Sequence, residues 1–247
     1  MTDRMFLLTP ERWGHAGVGE VVVLTSPEAR HAVQVVRLGV GERVLLGDGA
    51  GRRAVSEIIS VGQGELTARL LEVETVPGPT PRFVLVQALA KGDRDEQAVE
   101  AATELGVDEV VPWQAARSIV QWRGEKEARG RTRWEALVTA AAKQSRRSRV
   151  PVVAPLERQA ALCQRISSAA LGLVLHEDAN QPLAGVALPD FGDVVVVVGP
   201  EGGITPEELE ALTSAGGMVV RLGADVLRSS TAGPAALAVI SAASRWR

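Results

Sequence analysis

The sequence predicts an α/β protein of two domains, a small β-barrel or sandwich followed by a larger domain with a mostly parallel sheet. Before residue 75, short apolar stretches alternate with glycine turns about every ten residues, a spacing typical of small all-β domains. From Phe83 onward, continuous apolar runs alternate with helical segments, which favours a parallel sheet covered on both faces. Three prolines fall within residues 75–82, so we predict domains at 1–74 and 83–247 joined by a linker at 75–82.

One helical segment interrupts the β pattern of the first domain, in the stretch SPEARHAVQVVRLG. Ser26 has a side chain that favours the N-cap position, and Pro27 suits the first helical position because its missing N–H needs no partner there. Gly39 is the predicted end of this helix.

The second domain contains five predicted strands with helices between them. The strands are RFVLVQAL, VDEVVPW, LGLVLHE, VVVVVG and GMVVRLG. Capping boxes, in which a polar N-cap residue is followed three positions later by glutamate, predict where three of the helices begin. They pair Asp93 with Glu96, Thr132 with Glu135, and Thr205 with Glu208.

An alanine-rich helix is predicted at the C-terminal end, beginning near Thr231 or Gly233. One face of this helix is small and apolar, which permits close contact with another element. The face packs either on its own domain or on a second subunit. It consists of Ala236, Leu237, Ile240 and Ala243.

The composition narrows the class of protein. The net charge of −3 argues against a uniformly basic nucleic-acid binder, and no apolar run reaches the roughly 20 residues of a membrane-spanning helix. Cys163 is the single cysteine, which excludes an intrachain disulfide and a multi-cysteine zinc site. The three histidines are scattered along the chain. We therefore expect a cytoplasmic, soluble protein without a metal site.

A glycine loop, GPEGG at residues 199–203, follows the run of five valines and precedes a helix. Glycines in this position usually let backbone amides approach a ligand. The loop lacks both common phosphate-binding patterns, and Glu201 would repel a phosphate, so a neutral or positively charged ligand fits better. The alternative is a tight turn between strand and helix that binds nothing.

Two further loops follow predicted strands of the same sheet. LHED lies at residues 175–178, and RLGADVLRSSTA covers residues 221–232. The carboxyl ends of parallel strands meet at one edge of a sheet, where open α/β sheets bind their ligands. The three loops therefore predict one ligand site at this edge.

Positive charge is concentrated between Arg117 and Arg149, a segment that contains ten basic residues and only three glutamates. Arginine clusters bind phosphates by bidentate hydrogen bonds, which indicates a path for RNA. The alternative is a solvated helical face with ion pairs such as Glu125 with Arg129. Tryptophans in the same stretch could stack on bases, although core packing is the commoner role of a helical tryptophan.

Several of these segments together resemble the SPOUT-class RNA methyltransferases, and most closely the bacterial 16S ribosomal RNA uracil-N3 methyltransferase family. The resemblance lies in VVGPEGGITPEEL, RLGADVLRSSTA, AKGDRDEQAVEAATELGV and AAKQSRRSRVP. HAVQVVRLGVGERVLLGDGAG is similar to the PUA-like barrel of that family. The resemblance implies a C-terminal SPOUT domain with a deep trefoil knot, bound S-adenosylmethionine, a homodimer formed through that domain, and 16S ribosomal RNA of the small subunit as partner.

The resemblance also implies roles for individual residues. The cofactor contacts carry over to Leu175, His176, Glu177, Gly199, Pro200, Glu201, Gly202, Gly203, Ile204, Leu222, Gly223, Leu227, Arg228, Ser229 and Ala232. The RNA contacts carry over to Arg4, His31, Arg37, Lys91, Arg94, Arg117, Lys143, Arg146 and Arg147. Arg228 and Glu201 are the candidates for catalysis. The chain departs from the family at Ser230, where an acid is common, and at Glu100, where lysine is frequent.

The chemistry separates the reactions that such a protein could carry out. Methylation of uracil at C5 normally needs a cysteine nucleophile, and Cys163 lies far from the three loops in sequence. Methylation at N3 needs only a positioned base and stabilisation of the negative charge that develops on O2 and O4. Two alternatives are a ribose 2'-O methyltransferase of the same superfamily and a non-catalytic RNA-binding module for ribosome assembly.

Overall fold

The computed structural model describes residues 4–25, 27–62 and 64–246. The chain forms two compact units, one of Met1–Gly78 with Ala142–Val150 and the other of Pro79–Ala141 with Pro151–Arg247. Residues 142–150 thus cluster with the first unit, although the sequence places them inside an unbroken second domain. Two contacts explain this: Arg149 pairs with Ala50 in an isolated bridge, and its Nη2 donates to the Val76 carbonyl.

The first unit is built on a five-stranded sheet in the order β1-β3-β4-β5-β2, in which only β1 and β3 run parallel. The strands are β1 (Met5–Leu7), β2 (Val21–Thr25), β3 (Arg43–Gly47), β4 (Arg52–Val61) and β5 (Glu65–Thr75). Buried and partly exposed residues alternate along β4 and β5, so one face covers a core that contains Phe6, Trp13 and Ile58. The predicted small β-domain is confirmed.

Helical structure in the first unit is short. Helix α1 (Pro10–Trp13) precedes β2, and α2 (Glu28–Arg30) continues into a π-helical turn at His31–Val35. The predicted end at Gly39 comes too late, because Arg37 adopts φ of 60° and turns the chain out of the helix. The predicted N-cap, Ser26, lies outside the described residues.

The second unit is built on a seven-stranded sheet in the order β10-β12-β9-β11-β6-β7-β8, with parallel pairing throughout. The strands are β6 (Arg82–Ala88), β7 (Glu109–Trp113), β8 (Val152–Val153), β9 (Leu171–Leu175), β10 (Gln181–Pro182), β11 (Asp193–Val198) and β12 (Gly217–Arg221). All five predicted strands are present. Strands β8 and β10 were not predicted, since two residues are too few to give a periodic pattern.

Five α-helices follow strands of the second sheet; four of them lead to another strand, and the fifth comes after the last strand. They are α3 (Arg94–Glu104), α4 (Glu125–Gln144), α5 (Gln159–Ser168), α6 (Pro206–Ser214) and α7 (Ser229–Ala243), with a single 3₁₀ turn at Leu183–Gly185. No helix in the described ranges is long and apolar enough to cross a membrane. Strand order does not define how the chain threads, so the trefoil knot stays a prediction.

One of the three predicted capping boxes is confirmed. Thr205 accepts a hydrogen bond from the Glu208 N–H, and the Glu208 carboxylate accepts one from the Thr205 N–H. The box predicted at Asp93 is wrong because that residue has a left-handed backbone, with φ of 58°, and caps nothing with its side chain. The box predicted at Thr132 is also wrong, since α4 already begins at Glu125.

Helix α7 begins at Ser229, slightly before the predicted start. Three residues of its small apolar face, Ala236, Leu237 and Ile240, are at most 1% exposed. The helix packs against α3, β6 and β11 of the same unit. For these three residues, the first of the two alternatives holds, and the face covers the protein's own sheet.

Candidate active site

A cavity of about 820 Å³ lies at the carboxyl edge of the second sheet. Its walls are the loops that follow β9, β11 and β12, which are adjacent strands in the order β12-β9-β11. Every residue predicted to contact the cofactor lines this cavity. Three loops that are far apart in sequence therefore meet because their strands are neighbours.

The glycine loop leaves no space for side chains on its protein side. A Cβ at Gly199 would come within 2.8 Å of Ile204 Cγ1, and one at Gly202 within 3.1 Å of Arg117 Cβ. Gly203 has φ of 74°, a conformation that disfavours other residues. The loop is thus a backbone surface, packed closely against its neighbours on one side and open to the cavity on the other.

Glu201 points from the glycine loop toward the KGDR segment. Its Oε1 accepts hydrogen bonds from Arg94 Nη1 at 2.9 Å and from the Lys91 N–H at 3.2 Å. The carboxylate is only 25% exposed. A carboxylate held by an arginine and a backbone amide has a fixed orientation, which suits a role in joining the glycine loop to the KGDR segment.

Arg117 and Glu208 hold the glycine loop from another side. Arg117 Nη1 donates to the Gly202 carbonyl at 2.9 Å. Glu208, which is 7% exposed, accepts from the Ala116 N–H at 2.7 Å with Oε1 while Oε2 completes the capping box. The capping box was visible in the sequence, but the bond to Ala116 joins residues 92 positions apart and carries no local signal.

The start of α7 contributes two groups to the cavity. Arg228 occupies the N-cap position and is exposed, and its guanidinium makes no side-chain bond to the described part of the chain. Ser229 is 8% exposed, and its Oγ finds no hydrogen-bond partner among the described residues. A buried hydroxyl without a partner at a cavity wall is a group that a ligand would satisfy.

Charges of both signs surround the cavity. The acidic lining residues are Glu177, Asp178, Glu201 and Asp225, and the basic ones are Arg94, Arg117, Arg221 and Arg228. Asp178, Arg221 and Asp225 were not assigned from the sequence, although two of the three predicted loops contain them. This mixture fits a ligand that carries both positive and negative groups better than it fits a polyphosphate.

Asp95 stabilises the turn between β6 and α3. It is 6% exposed, and its carboxylate accepts from the N–H groups of Ala90 and Glu96. Burial raises the pKa of Asp95 above its ordinary value, although these backbone hydrogen bonds act in the opposite direction. The KGDR segment, which contains Lys91 and Arg94, is therefore anchored by a buried acid that sequence patterns did not identify.

Much of the basic segment in the second unit is paired. Arg129 and Arg131 form ion pairs with glutamates one turn away on α4, and Arg133 binds Glu96 at 2.7 Å. These arginines follow the alternative of a solvated helical face. Trp122 and Trp134 contact each other edge to face at 5.5 Å and are 8% and 1% exposed, so both belong to the core.

The remaining RNA-binding candidates lie in the first unit. Lys143 Nζ binds Glu28 Oε1 at 2.7 Å and lies over the ring of Phe6, on which the edge of His31 also packs. The exposed candidates are Arg4, His31, Arg37 and Arg146, and Arg147 is half-buried. Lys143 is thus engaged within the unit, whereas the Arg146 side chain makes no bond to any described residue.

Comparisons with known proteins agree with this geometry. Residues 77–241 match the model of an RNA methyltransferase domain, and residues 24–71 match that of an RNA methyltransferase PUA domain. The chain is 45% identical to Ribosomal RNA small subunit methyltransferase E of Mycobacterium tuberculosis over 233 residues, which cover 92% of this chain and 89% of the relative. The protein of the same name in Bacillus subtilis is 31% identical over 226 residues, 88% of each chain.

A solved structure gives the same result in three dimensions. Ribosomal RNA small subunit methyltransferase E from Neisseria gonorrhoeae, solved bound to S-adenosyl methionine, superposes with a TM-score of 0.86 at 29% identity and covers 98% of both chains. These matches extend over both units. The chain therefore belongs to the ribosomal RNA small subunit methyltransferase E family, with an RNA methyltransferase domain and a PUA domain.

Proposed function

We propose that this protein uses S-adenosylmethionine to methylate N3 of a specific uridine in 16S ribosomal RNA of the small subunit. One observation carries the proposal: all three loops that the resemblance assigns to the cofactor line a single cavity. The Neisseria relative, solved with S-adenosyl methionine, supports the same cofactor. The proposed place of action is the cytoplasm, where small ribosomal subunits are found.

The cavity fits this cofactor in size and in chemistry. Its volume of about 820 Å³ lies within the range of roughly 300 to 1,000 Å³ that is usual for small-molecule sites. The glycine loop offers backbone groups to an adenosine, and the Ser229 hydroxyl, which has no partner in the described part of the chain, offers a hydrogen bond. The acidic lining suits a sulfonium, while the arginines suit a carboxylate.

The bound cofactor supplies an electrophilic methyl group on a positively charged sulfur. The chain has to hold the uracil ring in place and stabilise the negative charge left on O2 and O4 when the N3 proton passes to solvent water. Arg228 suits this second task because its guanidinium lies at the cavity and bonds to no side chain or backbone group in the described residues. One such preorganised donor is worth roughly 3 to 4 kcal/mol in a transition state. Glu201 orients the loops instead, since Arg94 already neutralises it.

The position of Cys163 favours N3 over C5 as the methylated atom. The thiol lies on α5, packs against the core and accepts a hydrogen bond from Gln159. It is not among the residues that line the cavity. A C5 methyltransferase would need a nucleophilic cysteine beside the base.

The proposal includes a homodimer formed through the C-terminal domain. An apolar groove of about 350 Å³ in the second unit supports it, because a second copy would remove this surface from water. Its walls come from the segment after β10 and from the last turns of α7. The lining residues are Leu183, Ala184, Val186, Leu188, Val239, Ile240, Ala242 and Ala243.

A calorimetric titration with S-adenosylmethionine tests the proposed function, using the wild type and Gly202→Val. The valine γ-carbons would extend beyond a Cβ that already lies 3.1 Å from Arg117, so the loop must move. We expect the wild type to bind the cofactor. The variant should bind it at least tenfold more weakly, which corresponds to a loss of about 1.4 kcal/mol or more in binding free energy. Gly78→Val is the matched control, because a Cβ at Gly78 meets nothing within 4 Å.

Identification of the product completes the test. Small ribosomal subunits that lack the modification are methylated by the wild type and digested to nucleosides. N3-methyluridine supports the proposal, whereas a 2'-O-methylated nucleoside would assign the protein to the sister enzyme class. No cofactor binding by the wild type, together with RNA binding, would contradict the enzyme and favour a module for ribosome assembly.

A further inference from the structure

Two arginines that we assign to RNA also hold the glycine loop of the cofactor cavity. Arg94 Nη1 donates to Glu201 Oε1 at 2.9 Å, and Arg117 Nη1 donates to the Gly202 carbonyl at 2.9 Å. Both arginines line the cavity. Consecutive residues of the glycine loop are thus fixed by two side chains, one from the first residue of α3 and one from the loop after β7.

Each arginine uses only part of its hydrogen-bonding capacity in these contacts. A guanidinium has five N–H donors, and within the described ranges the structure records one side-chain hydrogen bond for each of these residues. The Arg94 side chain is 40% exposed, and Arg117 is an exposed residue. The free edge of each guanidinium is therefore accessible to a phosphate, which an arginine binds with two parallel hydrogen bonds.

The backbone beside each of the two arginines is hydrogen-bonded to the glycine loop or to the helix that follows it. The Lys91 N–H donates to Glu201, and the Ala116 N–H donates to Glu208 at the start of α6. Glu208 is buried and is bonded to Thr205, the N-cap of α6, which lies two residues after the glycine loop. If the segment around Arg94 or the segment around Arg117 moves, the hydrogen bonds of the glycine loop therefore change directly.

We propose that Arg94 and Arg117 are positioning residues that make RNA binding and cofactor binding mutually favourable. Phosphates on the free edges immobilise the two side chains over the glycine loop and exclude water from the Arg94–Glu201 pair, which strengthens it. A bound cofactor in turn orders the loop that presents both arginines. The inference rests on the proposed function, and linkage requires that each ligand raise the affinity of the other by the same factor.

Coupling of the opposite sign, in which RNA weakens cofactor binding, would also have a defined physical origin. A phosphate could draw Arg94 away from Glu201 and leave the carboxylate unneutralised, in which case RNA would weaken cofactor binding. The favourable sign is preferred because Arg117 holds a neutral carbonyl, which does not compete with a phosphate for charge. Arg94 can also contact two anions through different edges of its guanidinium.

Equilibrium dialysis with labelled S-adenosylhomocysteine tests this coupling, since that compound has no methyl group to transfer. The dissociation constant is measured alone and with saturating small ribosomal subunits that lack the modification. We expect the subunits to tighten binding by about 5- to 100-fold, within the usual range of coupling between sites. Arg94→Ala and Arg117→Ala should each reduce this factor by at least about threefold, which is roughly 0.6 kcal/mol.

Two further variants show whether a change in the coupling factor comes from the geometry of the arginine, from its charge or from the loss of any exposed arginine. Arg117→Lys keeps the charge but loses the fork geometry, so it should also reduce the coupling factor. Arg158→Ala removes an exposed arginine of the same unit that does not line the cavity, and should leave the factor unchanged. A variant that merely damages the loop weakens binding equally with and without subunits, which leaves the ratio intact.

The outcomes distinguish the inference from the function on which it rests. A wild type that binds S-adenosylhomocysteine and subunits with a coupling factor of one, or below one, overturns the inference and leaves the proposed function standing. A wild type that does not bind S-adenosylhomocysteine under either condition overturns both. A coupling factor that survives in both alanine variants would assign the coupling to other residues and overturn the roles given to these two.

Discussion

The cofactor cavity and the basic segment at residues 117–149 are two candidate binding regions of very different kinds. In the cavity, every residue predicted to contact the cofactor lies on one wall or another. In the basic segment, Arg129 and Arg131 pair with glutamates of their own helix, and Lys143 pairs with Glu28. Loops that follow parallel strands have a position that the fold determines, whereas the availability of a charged side chain depends on which partner lies within reach.

The largest expected effect tests this comparison at Arg228, a cation of the cavity that has no side-chain partner within the described ranges. Arg228→Ala should lower the rate of methyl transfer about 10²- to 10³-fold, because the developing negative charge on the base loses a preorganised donor. The affinity for S-adenosylmethionine should change by less than about tenfold. Single-turnover methylation of small ribosomal subunits measures the rate, and calorimetry measures the affinity.

Arg221→Ala is the matched control for Arg228. Arg221 is exposed and lines the same cavity, so its removal changes the net charge equally. We expect this variant to keep most of the transfer rate. An equal loss in both variants would show that the cavity uses the general positive potential, and the catalytic role given to Arg228 would then be wrong.

A smaller effect, on stability, is expected at Glu208. Glu208→Ala leaves the N–H groups of Ala116 and Thr205 without their acceptor, which should cost about 1 to 3 kcal/mol in the free energy of unfolding. Denaturant titration measures this change. Glu207→Ala is the neighbouring control. Glu207 is fully exposed, and hydrogen bonds from its own backbone and from the Thr205 side chain lower its pKa, so stability should fall less than in Glu208→Ala. Equal stability of both variants would mean that Glu208 does not join the two loops.

Capping boxes show how far sequence patterns reach. The pattern at Thr205 predicts a true helix start because Pro206 suits the first helical position and the preceding glycines disfavour a helix that begins earlier. The same spacing at Thr132 lies inside α4, where Glu135 instead pairs with Arg131. A threonine and a glutamate three residues apart also occur within helices, and only the incoming chain distinguishes the two cases.

Contacts between distant parts of the chain were beyond sequence reasoning for a related physical reason. The carboxylates of Glu201 and Glu208 bind the backbone N–H groups of Lys91 and Ala116, which lie 110 and 92 positions away, and backbone donors are the same in all residues except proline. No residue type in the sequence therefore identifies the partner. The strands and the glycine loop were predictable because apolar runs and glycines report local conformation.

The smallest expected effects concern residues 142–150, where Lys143 is an ion-paired cation and Arg146 an exposed one. Lys143→Ala leaves the Glu28 carboxylate unpaired, and since both side chains are less than a quarter exposed, stability should fall by about 1 to 2 kcal/mol. Arg146→Ala removes an exposed guanidinium without a partner among the described residues, so stability should stay unchanged. Denaturant titration of the two variants measures this difference.

The two variants should rank in the opposite order when RNA binding is measured instead of stability. If Arg146 contacts a phosphate, its loss should weaken binding to small ribosomal subunits and reduce the dependence of log K on log salt concentration by about one. Lys143→Ala should change that slope less, because Glu28 already neutralises the ammonium group. An unchanged slope in Arg146→Ala, or a larger change in Lys143→Ala, would contradict the idea that pairing within the fold determines which cations of this segment are available to RNA.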